Sequence, residues 1–589
     1  VGFILLFIPI TVLLKADSAT SYEFSLYNVY PWFFWFTILL CIIIGQLCLV
    51  LNSYWKTDNK SWIYGFFLII LSNLTLLSIP ISRYFTFGRG DVLTHIGYML
   101  DIQHYFDIGS NHYPINHLLG IIINYCTGIT FTDIVMLVPP IFSLFFVLSW
   151  YLVGKQIFLN KEEILLMLSF SSILSFGILH SLFTPFHQST LLIPFVLYLF
   201  FRANNVRNKN QNNKPIFNLL LICFCGFMVF YHPLTILMLI FIFSLLKLAS
   251  IINYRTLNKN DLKMNIGNLV LVPLIIFSMW SSYLYMAVNK LNPIIMSIIG
   301  KEESSSEFQK YVELINYADL DLFQLVETFT YKYGIDAMLG LISIVCALII
   351  FIGIFKKDNN IKYYHHMSSI GFAFISLVSF LLLVTNSAFG FMRIYQYAIL
   401  FSFILIPSTY YYLLINHDYT FRTKYTKNIL YLGLCAILII FSSISMFTLY
   451  MSPLTKNTNS QVSQAQFIGM ETFYTHQNNT YEILQLGFNK NRYHDAIYGR
   501  DPVNRNRDYG ALIPIDHFNY VNNTALGKAY NGTYYFLVNE RGYNFYPKVY
   551  PEFENKWRYN ASDFNKLNHD YTVDKLYTNK ILDTFIINQ

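Results

Sequence analysis

Charge is scarce in this chain. Only 12% of its 589 residues are Asp, Glu, Lys or Arg, against about 25% in an ordinary soluble domain, while 55% are hydrophobic. Half the usual water-facing surface is missing, which excludes a soluble globular protein. Cysteine is scarce as well. Cys41, Cys48, Cys126, Cys223, Cys225, Cys346 and Cys435 all lie in or beside apolar runs, and none follows Met451. Disulfides therefore do not hold the C-terminal stretch together. Cys223 and Cys225 stand one residue apart without companions, which argues against a metal site there. The net charge of +7 is spread over short loops and gathered on no one face, so no nucleic-acid partner is indicated. The apolar run Val1 to Leu14 has neither a basic head nor a small-residue cleavage site and reads as a span, not a cleavable signal. No internal repeat supports a transporter of inverted halves.

What the chain has in plenty is hydrocarbon. Runs suited to crossing about 30 Å of lipid fall near 1–14, 30–51, 62–82, 135–157, 164–180, 188–201, 216–231, 234–250, 266–288, 336–355, 367–387, 397–416 and 428–451. A weaker stretch covers 114–130. Lys and Arg favour the cytoplasmic side, and loops 202–215, 253–265, 356–366 and 417–427 are all basic. The segment 289–335 is acidic and falls on the opposite side, with Tyr231-His232-Pro233, Phe389 to Tyr397 and the tail. That parity holds if 114–130 is interfacial or re-entrant, or if one of the two runs between 164 and 201 does not cross. The expected fold is an all-α polytopic membrane bundle of about thirteen transmembrane helices over 1–451, multi-pass in the cell membrane. An external soluble α/β domain follows at 452–589. In that tail "YEILQLGFN", "TYYFLVNE" and "KLYTNKILDTFIINQ" read as strands, and sequons stand at Asn478, Asn522, Asn531 and Asn560.

One loop, 83–117, does not match its surroundings. "GRGDVLTHIGYMLDIQHYFDIGSNHYPINHLLG" gathers Asp91, Asp101, Asp107, His95, His104, His112 and His117 between two apolar runs. A helix over 91–104 lays Asp91, His95, Tyr98 and Asp101 along one slowly turning stripe. A carboxylate at a membrane boundary can take a proton from a hydroxyl or bind a divalent cation; equally, a solvated interfacial loop needs charges only to stay out of the lipid. No H-x-x-x-H or H-E-x-x-H pair supports zinc, and hydrogen bonding to phosphate or sugar suits these histidines better. His187 in "FTPFHQST" and His232 in "FYHPL" sit at outer span ends, where they either line a cavity or cap a helix. In "FGFMRIYQYAIL", Arg393 precedes a span. Its guanidinium fork fits phosphate oxygens, and headgroup anchoring is the plainer use.

These features together resemble the GT-C superfamily of membrane glycosyltransferases. "GRGD" opens a long first outer loop, "YPINHLL" closes it, many spans follow, and a soluble domain ends the chain. The resemblance matches Asp91 to the family's catalytic acid, Tyr113-Pro114 with His117 to the element leading into a helix, and "FMRIYQY" to its late phosphate-binding arginine. It implies transfer of a sugar from a polyprenyl-phosphate donor to a hydroxyl of a glycan, lipid or protein acceptor on the outer membrane face, as in cell-envelope glycosylation. Asp91 would be the catalytic base and Arg393 would meet the lipid phosphate. His95, Asp101, His104, Tyr113, His117, His187, His232 and Tyr395 would be the candidates for binding substrate. Further apolar runs precede the loop, there is no WWDYG, and no second acid adjoins Asp91, which leaves the cofactor open, a divalent cation such as magnesium or manganese included. A carrier or flippase of a lipid-linked saccharide, with no bond chemistry, is the alternative; it predicts charges deep within spans.

Overall fold

Each of the thirteen apolar runs becomes helical, though not each becomes long. The computed structural model describes residues 1–589 other than 56–59, 110, 205–213, 258–266, 284–305, 319–320, 359, 386–389, 416–423, 501–511 and 522–524. Most of the acidic segment before Ser306, with most of the basic loops 202–215, 253–265 and 417–427 and the sequon at Asn522, lies outside the described residues.

The helices in chain order are α1 (Gly2–Leu14), α2 (Trp32–Trp55), α3 (Ser61–Leu77), α4 (Ile79–Arg83), α5 (Asp91–Tyr105), α6 (Pro114–Thr127), α7 (Phe131–Ile157), α8 (Lys161–Ser171), α9 (Pro185–Ala203), α10 (Lys214–Tyr231), α11 (Pro233–Leu257) and α12 (Gly267–Tyr283). After them come α13 (Glu307–Ala318), α14 (Leu322–Phe355), α15 (Tyr363–Val384), α16 (Phe391–Ile415) and α17 (Lys424–Thr448). Crossing needs about 20 residues at 1.5 Å each. Among the described residues, seven helices are long and apolar enough: α2, α7, α11, α14, α15, α16 and α17. Shorter apolar helices cover Gly2–Leu14, Ser61–Leu77, Pro215–Tyr231 and Leu271–Ser282.

The run 164–180 differs from the single span expected. Its helix α8 has 11 residues, about 16 Å, and gives way at Ser172 to a short 3-10 turn, Gly177–His180. Apolar composition alone set the expected length there, whereas the residues after Ser171 stay largely buried without continuing the helix. Glu163 is buried at its first turn, where Tyr364 donates to it at 2.8 Å. The stretch 114–130 likewise forms only the 14-residue α6, closed by Gly128 at φ 73. Only one of the two can stay out of the crossing count, because removing both leaves an even number between the first outer loop and 202–215; the thirteen expected spans correspond to α6 as the one that does not cross.

The C-terminal region is mixed α/β. Its strands β3 (Glu482–Leu486), β4 (Tyr534–Asn539), β5 (Val573–Thr578) and β6 (Leu582–Ile587) form one sheet in the order β3-β4-β6-β5, parallel at β3–β4 and antiparallel elsewhere. Helices α18 (Gln464–His476), α19 (Lys490–Tyr498), α20 (Glu540–Val549) and α21 (Ala561–Leu567) surround it. Central β4 is buried along most of its length, with Phe536 packed on Phe518 and Phe585. A separate pair joins this region to the first loop: β1 (Thr86–Phe87) runs antiparallel to β2 (Gln461–Val462), Thr86 opposite Val462 and Phe87 opposite Gln461.

Candidate functional site

The anomalous loop folds as its turn chemistry demands. Gly88 (φ 110) sharpens the bend after β1, and α5 starts at Asp91, whose charge suits a helix N-terminus. It stops at Phe106 in the left-handed conformation. Pro114 at the first position then starts α6, and Thr184-Pro185 starts α9 in the same way.

The stripe on α5 meets the C-terminal region. Arg492 on α19 pairs with Asp91 at 2.8 Å and donates to Thr94 Oγ1 at 2.7 Å. Thr94 in turn donates to Asp495 at 2.8 Å. Asp101 accepts from the Arg500 backbone N–H with both oxygens, at 2.9 and 2.8 Å, and the Arg500 guanidinium lies 4.2 Å over the Tyr98 ring. Such close approach needs Gly97, where any Cβ would collide with the Asp495 carbonyl. Arg89 of "GRGD" reaches Asn457 and the Thr458 carbonyl at 3.3 and 3.5 Å; burial lowers its pKa from the ordinary arginine value.

The other side of the stripe makes a directional histidine chain. The Tyr113 backbone N–H donates to Asn111 Oδ1 at 2.9 Å, which turns Asn111 Nδ2 toward His117 Nδ1, 2.7 Å away. An amide nitrogen only donates, so His117 accepts at Nδ1 and carries its proton on Nε2. That proton points at His95 Nδ1, 2.9 Å away, which leaves His95 protonated on Nε2. Burial holds both rings neutral: His95 is pushed down to about 4, and His117 well below the usual range, with the positive charge of Arg500 adding to each. Tyr113 is raised by burial and stacks on His232, ring centres 5.5 Å apart.

Arg393, at the start of α16, stands across from this group with its guanidinium 5.6 Å from the Phe186 ring; Phe186 also packs on His232 at 5.3 Å. Tyr113 also meets the His95 ring at 6.5 Å, and His187 meets Phe186 at 5.7 Å, so ring contacts run from Arg393 to the His95–His117 pair. Asp91, His95, Tyr113, His117, His187, His232 and Arg393 therefore share one neighbourhood. Asp101 is directed to the C-terminal region, and His104 is exposed near the end of α5 against Tyr105. Tyr395 donates to the Asp336 carbonyl at 3.1 Å and belongs to a separate wall.

That wall bounds two adjacent hollows. A polar cavity of about 500 Å³ is lined by Arg393, Gln396, Lys332, Asp336, Glu307 and Asn457 among others. It shares Tyr311, Tyr333, Asp336 and Phe391 with an apolar trough of about 480 Å³ that runs along Tyr395, Phe380, Leu383 and Ile315. The acidic segment contributes here through α13, whose Glu307 and Tyr311 form part of the rim. Asp91 is not among the residues lining either hollow. Arg492, Arg500, Lys332, Asp336 and Gln396 had no motif to mark them in the sequence; for Asp336 the one available signal was a charge at the edge of the apolar run 336–355. Among the described residues, no group of three or more His, Cys, Asp or Glu is placed to hold a metal ion.

The sequence matches no protein-family model and no curated protein. The structure is similar to the oligosaccharyltransferase of Archaeoglobus fulgidus in its complex with zinc and sulfate. Identity is 10% and the TM-score 0.46, over 87% of this chain and 70% of that one. It is also similar to the oligosaccharyltransferase AglB of that organism, in complex with an inhibitory peptide and a dolichol-phosphate (11%, TM-score 0.46, 89% and 72%). ArnT from Cupriavidus metallidurans bound to undecaprenyl phosphate is similar at 9% identity and a TM-score of 0.45, over 90% of this chain and 98% of that one. At these identities and scores no role passes from those proteins to a residue of this chain.

Proposed function

We propose that the chain is a membrane glycosyltransferase that moves a sugar from a polyprenyl-phosphate donor to an acceptor hydroxyl on the outer membrane face. The observation that carries this reading is the position of Arg393. Its guanidinium lies over Phe186, which packs on His232, which stacks on Tyr113 beside the Asp91 helix, and it also lines a polar cavity adjacent to an apolar trough. An isoprenoid tail suits the trough, and a phosphate suits the guanidinium beside it.

In the reaction, the acceptor oxygen forms a bond to the anomeric carbon while the bond from that carbon to the phosphate oxygen breaks. The acceptor proton passes to the Asp91 carboxylate. The electron pair leaves with the phosphate, and Arg393 stabilises the charge that develops there. Tyr113, His187 and His232 are the side chains whose ring contacts link the Asp91 helix to Arg393. Since both histidines of the 95–117 pair are neutral, neither competes with Arg393 for the anion. The boundary at Met451, with thirteen crossings before it and the tail outside, belongs to this proposal.

The test uses purified protein in lipid, supplied with candidate polyprenyl-phosphate sugars, and measures released polyprenyl phosphate. Wild type releases it, and Asp91→Asn lowers the rate by about a hundredfold or more with the fold intact. Near-normal turnover in that variant rejects the assigned base. A change of lipid sidedness without release supports the carrier alternative instead.

A further inference from the structure

Two hydrogen-bond acceptors in the polar cavity have no use in the chemistry above. Asp336 Oδ1 and Gln396 Oε1 are both buried, and neither has a hydrogen-bond partner among the described residues. Buried polar groups are ordinarily satisfied, and an ionisable group where a membrane helix enters its apolar run is costly unless something pairs with it. Both side chains line the same cavity as Arg393 and Lys332.

Their placement is regular. Helices α14 and α16 run parallel, since Tyr395 donates to the Asp336 carbonyl at one level and Tyr412 to Asp358 at 2.7 Å near the other end. Lys332 and Asp336 are four residues apart on α14, and Arg393 and Gln396 three apart on α16. Each pair therefore occupies one helix face, with the cation one turn before the acceptor on both helices. The cavity thus has a layer of cations and, one turn along, a layer of acceptors. A bare lipid phosphate satisfies only the first. A ligand for both must carry an anion and, within a few ångströms, hydrogen-bond donors, which is what the hydroxyls of a phosphate-linked sugar supply. The volume of about 500 Å³ lies in the usual range of about 300–1,000 Å³ for small-molecule sites.

We infer that Asp336 and Gln396 are the residues that bind sugar hydroxyls of the donor, and that they distinguish a charged carrier from a spent one. This rests on the lipid-phosphate reading of Arg393. It also gives the reaction a direction: once the sugar leaves, the two acceptors lose their partners, and the remaining polyprenyl phosphate is held by the cations alone.

The experiment measures binding by the full chain in nanodiscs. The probes are undecaprenyl phosphate and its phosphate-linked glucose, mannose and galactose forms. Wild type is expected to prefer at least one hexosyl lipid over the bare phosphate by about tenfold. Asp336→Leu and Gln396→Leu each remove that preference. Asp336→Leu binds bare undecaprenyl phosphate as well as wild type or better, because a carboxylate has left the phosphate's surroundings. Asp336→Asn keeps an acceptor oxygen and retains part of the preference. A purely structural role would weaken both kinds of lipid alike and overturns the inference, as does a preference that survives both leucine variants. Binding of bare lipid without any hexose preference in wild type sinks this inference alone. Failure of all four lipids to bind sinks the lipid-phosphate reading and this inference with it.

Discussion

Asp91 is held from the far end of the sequence. Arg492 follows it by four hundred residues, yet its guanidinium touches the carboxylate with one nitrogen and Thr94 Oγ1 with another. The side chains are 35% and 67% exposed, and an ion pair in such contact with water contributes at most about 1 kcal/mol to stability. Its value lies in orientation, because a carboxylate fixed on one side presents its other oxygen to an acceptor. Arg492→Ala should therefore leave the unfolding midpoint nearly unchanged while lowering kcat by about tenfold, with the KM for donor unaltered. Arg492→Lys keeps the charge but cannot hold Asp91 and Thr94 together, and should fall between the two. Wild-type kcat in the alanine variant would show that the contact has no part in catalysis.

At the scale of elements, α5 and α6 are joined by a pair of histidines that must stay neutral. His95 sits at about 4 in the folded chain against about 6.5 when unfolded, so the unfolded state binds more protons between those values. Stability present above about pH 6.5 is lost as pH falls toward 4. By pH 5.5 His95 alone costs about 1 kcal/mol. The unfolding midpoint should drop between pH 7.5 and 5.5, and the drop should shrink in a His95→Gln, His117→Gln double variant; an equal drop in both would assign the acid sensitivity elsewhere. These two helices also mark how far the sequence could be read. Asp91, His95, Tyr98 and Asp101 at spacings of four, three and three announced α5, Pro114 announced α6, and the three C-terminal runs announced their four strands. Helix lengths were less legible, because apolar composition sets what a segment can lie in and not how far it continues: 164–180 breaks at Ser172, and 336–355 extends back to Leu322. The partners of the α5 stripe were not legible at all. Arg492, Asp495 and Arg500 lie in a polar stretch with no local pattern, and only tertiary contact brings them to Thr94 and Asp101.

The whole molecule carries its own evidence of sidedness. Pairing of Thr86–Phe87 with Gln461–Val462 obliges the first loop and the C-terminal region to share one side, so the chain between them crosses an even number of times. Helix α14 has 34 residues, about 51 Å, and overshoots a hydrocarbon layer of about 30 Å. Its excess lies at the N-terminal end, where Glu327 and Tyr331 border the same hollow as Lys456 and Glu552. The opposite end, through Lys356, Lys357 and Lys362, is then on the far side, and three lysines in so short a loop support the proposed cytoplasmic placement. On the proposed orientation, with that loop in the cytoplasm, the cavity with Arg393 opens on the outer face. Single cysteines in an otherwise cysteine-free chain test it at exposed positions. Asp107→Cys and Tyr571→Cys should react with a membrane-impermeant maleimide on intact cells, and Asn360→Cys only after permeabilisation. The inverse pattern would put Asp91 and Arg393 toward the cytosol, and transfer on the outer face would be lost with them.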